Sequence, residues 1–145
     1  MAVIASMTIA DALATPVNHT FVPIGFDSKG VMLWQDQTSA DNPSGVPDGF
    51  TNMWCGSSLT LAKGGNGRFA LDYRFLKPSL ETVSNSTASG ILPAAQKAYD
   101  SAVFIKAVFS ARSTLQNRKD AVKMAVLGFQ NAQVADWATL YQKPY

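Results

Sequence analysis

The chain changes character once, at Arg112. Before it lie short alternating stretches broken by Gly, Pro, Asn and Asp; after it come two runs with helical spacing. A sheet completed before any helix begins must take its helices on one of its faces and leave the other for something else. What occupies that second face decides the function.

Six stretches read as strand. Met7 and Ile9 alternate with polar neighbours. His19 to Phe26 alternates in the same way, and Pro23 marks it as an edge strand. Asp27-Ser28-Lys29-Gly30 is a tight turn with Gly where a left-handed backbone is needed, leading into Val31–Asp36. Residues 38–50 read as a long loop, and Thr51 to Lys63 as the next strand. Gly64-Gly65-Asn66-Gly67 is a hairpin signal. Phe69, Leu71, Tyr73 and Phe75 then alternate with Ala70, Asp72 and Arg74, a strand with one core face and one wet face that ends at Pro78. Glu81–Gly90 is a polar loop, and Ala95–Phe109 the last strand. Ser113-Thr114-Leu115-Gln116 fits a capping box with Ser113 as N-cap. Leu115, Val122, Ala125, Val126 and Phe129 share one side of the helix it opens. Asn131 caps its end, and Val134–Tyr141 is a second, shorter helix.

The expected fold is therefore α+β in a single domain over residues 1–145, with hairpin and sheet in 1–112 and two helices in 113–145. Five strands at about 4.8 Å spacing make a sheet roughly 24 Å wide, whereas one helix with its side chains covers about 10 Å. The tail of one chain cannot roof that sheet. A second subunit is the simplest cover, with helices from each chain over the other's sheet.

Little in the chain suggests catalysis. Its one histidine, His19, has no metal-ligand spacing around it, the ten carboxylates form no paired motif, and the glycine run joins two strands rather than opening a helix. Cys55 is the one cysteine, so no internal disulfide forms; a buried, inert thiol is expected. The reading is a non-enzyme with no cofactor and no metal. No segment approaches the roughly 18 apolar residues needed to span a bilayer. The N-terminal stretch lacks a basic residue ahead of an apolar run that Asp11 interrupts, so an export signal is rejected.

If Leu71 and Tyr73 face the helices, Asp72 and Arg74 face away. Ser58 and Thr60 do the same on the neighbouring strand, and Tyr99 and Ser101 can join them from the last one. Hydroxyls, a cation and an exposed aromatic suit single-stranded RNA, since hydroxyls read base edges, cations meet phosphate and a tyrosine stacks a base. A merely solvated face is the alternative, and composition alone, with a net charge of +2, favours it.

The order of these pieces resembles the coat proteins of single-stranded RNA bacteriophages of the levivirus type. The resemblance rests on Gly30-Val31-Met32-Leu33-Trp34, the hairpin strands Ser58–Lys63 and Arg68–Pro78, and the loop ending at Leu92-Pro93. It continues through Tyr99–Ser110, the helix from Ser113 and the terminal Pro144-Tyr145. It implies an N-terminal β-hairpin, a five-stranded antiparallel sheet and two C-terminal helices interlocked with those of a dimer partner. It further implies assembly of such dimers into an icosahedral shell around genomic RNA in the bacterial cytoplasm. A genomic RNA hairpin would be bound as translational repressor and packaging signal. The loop from about Glu81 to Pro93 would be the one that changes conformation around the symmetry axes. By the same resemblance Tyr99 matches the base-stacking tyrosine, Arg74 a basic strand residue, and Ser58 and Thr60 hydroxyls of an adenine pocket. Ser101 stands where an asparagine is expected, Asp72 departs from the pattern, and Lys63 lies one step from an expected basic position. A dimeric RNA-binding regulator that never assembles, and a small-ligand binding domain, are the competing readings.

Overall fold

The computed structural model describes residues 4–37, 42, 45–61, 67–81 and 96–140. Six strands run in sequence order through one sheet: β1 (Met7–Ala10), β2 (Asn18–Phe26), β3 (Met32–Asp36), β4 (Asn52–Thr60), β5 (Arg68–Leu80) and β6 (Lys97–Ser110). Two helices follow, α1 (Leu115–Phe129) and α2 (Ala132–Leu140), so the α+β class holds. The count differs from a five-stranded sheet with a separate hairpin. β2 pairs with β1 on one side and β3 on the other, and the Asp27–Gly30 turn carries the ladder straight on. In that turn Asp27 Oδ1 accepts from the Lys29 and Val31 backbone N–H groups, both at 2.8 Å, and Gly30 takes the expected left-handed φ of 74°.

Pro23 does not put β2 at the edge of the sheet. The β1 ladder stops at Met7 opposite Phe21, so the backbone beyond Phe21 has no β1 neighbour that would miss the absent N–H. A register shift between Pro23 and Gly25 absorbs the distortion on the β3 side.

The chain divides into two compact units, Met1–Ser58 with Leu71–Lys106, and Leu59–Ala70 with Ala107–Tyr145. The first holds the core. Phe21, Met32 and Met53 are its buried apolar side chains, joined by buried His19, Asp36 and Thr51. Phe21 and Phe75 pack as tilted rings 6.0 Å apart. Buried Asn42 holds the loop after β3, its side chain bonding both the N–H and the carbonyl of Val46. A 3₁₀ turn, Pro47–Gly49, follows.

In the second unit the α1 cap is Thr114, whose Oγ1 accepts from Asn117 N at 3.1 Å, rather than Ser113. Ser113 is already engaged: its hydroxyl donates to Ser110 O at 2.6 Å and its carbonyl accepts from Arg118 Nη1 at 2.5 Å. Asn131 serves the start of α2 rather than the end of α1, accepting from Gln133 N at 3.1 Å. Neither helix buries a single residue. The expectations for the hairpin residues 64–66, Lys63, the loop beyond Glu81 and Pro144-Tyr145 lie outside the described residues. No described helix is long and apolar enough to cross a membrane.

Candidate nucleic-acid interface

Alternation along β3 and β4 sorts their side chains. Met32 opposes Cys55 and Trp34 opposes Met53, on the side of the core. Leu33 opposes Trp54 and Gln35 opposes Asn52 on the other side, where Gln35 Nε2 donates to Asn52 Oδ1 at 3.1 Å. Val31 and Gly56 meet there too: a Cβ on Gly56 would come within 2.9 Å of Val31 Cγ2.

On this side the first unit forms an open groove of about 480 Å³. Trp54, Ser58, Asp72, Arg74 and Phe104 line it, with Lys29 at the turn. Three of the sequence-derived candidates, Ser58, Asp72 and Arg74, are thus neighbours. Lys106 Nζ stands 3.6 Å from Asp72 Oδ1, an exposed ion pair that offsets the charge of the residue that departs from the family pattern. Tyr99 and Ser101 line a second hollow of about 270 Å³ with Lys77, Pro78, Ser79 and Leu80. Tyr99 is 64% exposed, free to offer its ring. Thr60 is exposed in the second unit at the end of β4, and Lys63 lies outside the described residues.

Sequence reasoning missed Trp54, Lys29 and Phe104. Trp54 was legible, since it precedes Ser58 by four residues and so shares its side of β4 by alternation. Phe104, 70% exposed, was not: counted from Tyr99 it falls on the opposite side.

Behind this surface Cys55 is half-buried, and burial pushes its thiol up from the ordinary value, which suits an inert packing residue. Burial also raises the Tyr73 phenol, with Cys55 adding to it. Among the described residues no group of three or more His, Cys, Asp or Glu side chains could hold a metal ion.

A six-stranded sheet with an open groove of polar and aromatic side chains is thus followed by two helices that contain no fully buried residue. The model of the levivirus coat protein family matches residues 2–145, and this chain belongs to that family. It is a structural capsid component of the virion and not an enzyme. No curated protein sequence matches it. Among solved structures, the virus-like particle of bacteriophage ESE058 is similar with a TM-score of 0.86 and 34% identity over 99% of this chain and 100% of that one. The virus-like particle of bacteriophage NT-214 gives a TM-score of 0.77 at 24% identity, over 99% and 100%. The protein capsid of bacteriophage GA gives 0.67 at 16% identity, over 96% and 95%. The last two show the fold alone.

Proposed function

We propose that this coat protein forms dimers through its helices, that the dimers assemble into an icosahedral shell, and that the open side of the sheet contacts single-stranded genomic RNA. The observation that carries dimerisation is the exposure of the helices. Leu115, Val122, Met124, Val126, Leu127, Phe129, Trp137 and Leu140 are all exposed in the single chain. Apolar surface of that extent is removed from water by a partner of the same kind at about 25 cal/mol per Å². Assembly of similar chains into virus-like particles supports the shell.

The RNA reading is supported by chemistry. Asp72 pairs with Lys106, and the Glu81 N–H donates to Gln96 O at 2.8 Å. Tyr99 and Ser101 join Asp72 and Arg74 in this proposal through the family resemblance, although plain alternation from Phe104 turns them away. The surface then offers Arg74, Lys29 and Lys106 to phosphates, Tyr99, Phe104 and Trp54 to unpaired bases, and Ser58 and Ser101 to base edges. Thr60 and Lys63 belong to the same proposal through the family resemblance. Binding of a hairpin in the genome, with translational repression and packaging, is the function such a surface serves.

Purified particles stripped of RNA and titrated with short RNA hairpins test the reading. We expect tight binding by the wild type and weaker binding by Tyr99→Ala and Arg74→Ala, with particles still formed. Particles that bind RNA equally well with both substitutions would refute the assigned surface. A stable RNA-binding dimer that never forms particles would favour the regulator instead.

A further inference from the structure

The described residues hold one buried polar cluster that neither the shell nor the RNA surface uses. His19, 8% exposed, sits on β2 between two carboxylates. Its Nδ1 lies 2.5 Å from Asp36 Oδ2 at the end of β3, and its Nε2 lies 3.4 Å from Asp11 Oδ2 in the turn between β1 and β2. Asp11 in turn organises that turn, its Oδ1 accepting from Val17 N at 2.9 Å and from Leu13 N at 3.2 Å. His19 thus adds a side-chain link between the hairpin turn and β3 to the backbone ladder of β2 with β3.

We propose that His19 is a proton-operated latch: as the imidazolium it ties the β1–β2 hairpin to β3, and when it loses its proton the tie to Asp11 fails. A neutral imidazole has one N–H and one lone pair. Set between two carboxylates, it can donate to one only and must turn its lone pair toward the other. The imidazolium donates to both, and each of these bonds is charge-assisted. Among the described residues three charged groups face this site: Asp11 from the turn, Asp36 from β3, and Lys77 from β5, which lines the same hollow. The lysine opposes a second positive charge, but the two carboxylates outnumber it and both contact the ring.

The sign follows. The tie is complete while the ring is protonated and is lost as pH rises through the ring's titration in the folded protein. At the acid end it is lost only when the carboxylates protonate. Asp11 is held below the ordinary carboxylate value, first by the Val17 N–H, so that limit lies low.

The chain has one histidine, so C2 hydrogen–deuterium exchange read by mass spectrometry reports His19 alone, in dimers or in whole particles. We expect a titration midpoint above the ordinary value of about 6.5, moved down by about half a unit or more in Asp11→Asn. Protection factors of the backbone amides in residues 8–21 should fall across the wild-type midpoint, about tenfold for each unit that the midpoint stands above the ordinary value. In His19→Gln they should be low and independent of pH. A wild-type midpoint at or below about 6.5, or hairpin protection that ignores the titration, would overturn the proposal. The wild-type measurement alone decides this, whatever the variants do.

Discussion

Phe129 closes α1 with its ring 53% exposed in the single chain. An aromatic side chain presents roughly 200 Å², so about 100 Å² of ring waits for a partner. At about 25 cal/mol per Å² that surface is worth about 2.5 kcal/mol per chain and about 5 kcal/mol for a two-fold dimer. Phe129→Ala should therefore weaken association by three to four powers of ten, at about 1.4 kcal/mol for each. The separate chain also loses the half of the ring's surface that it covers itself, about 2.5 kcal/mol by the same arithmetic, so only the concentration-dependent part of the loss reports the partner. Lys123→Ala, on the same helix, should change association by less than about 0.5 kcal/mol. The assay is chemical denaturation followed over a range of protein concentrations, since a dimer's midpoint rises with concentration and a monomer's does not. A Phe129→Ala midpoint equal to wild type at every concentration would show that nothing covers the ring, and the dimer argument would fail with it.

Other substitutions test single contacts. A Cβ on Gly67 would lie 2.9 Å from the backbone oxygen of Thr60, so Gly67→Ala should cost about 1–3 kcal/mol in thermal unfolding. Thr114→Ala removes the α1 cap and should cost about 1 kcal/mol of stability. Tyr99→Ala should weaken RNA binding by about 1–3 kcal/mol in filter binding while particles still form by electron microscopy; loss of shells with a normally folded dimer would contradict its placement on the open side. Because the Asp11 carboxyl is held low, its support of the hairpin turn is present above the ordinary carboxylate range and lost as pH falls through its own lower value. Amide exchange at Leu13 and Val17 should thus stay protected in mildly acidic solution and open only below it.

The six strand stretches, the turn at Asp27–Gly30 and both helices were legible because alternation and turn chemistry are local. Ser58, Asp72 and Arg74 came out as neighbours for the same reason. What escaped the sequence reading depended on events between strands. Pro23 signals an edge, yet only the tertiary ladder shows that β1 ends before it. Ser113 and Thr114 are equally good caps by composition, and the choice between them was made by Ser110 and Arg118, which engage Ser113. Phe104 was assigned no role because strict alternation puts it on the opposite side from Tyr99. The His19 link could not be read at all, since its partners Asp11 and Asp36 come from a turn and a different strand.

The protomer has no fully buried residue in either helix and keeps an open groove on its sheet. Sedimentation of the purified, nuclease-treated protein, recorded at both protein and nucleic-acid wavelengths, tests its proposed assembly around RNA most directly. Large uniform particles that carry protected RNA, with no significant 15.5 kDa species, are the predicted result. A well-behaved monomer of 15.5 kDa free of nucleic acid would contradict it.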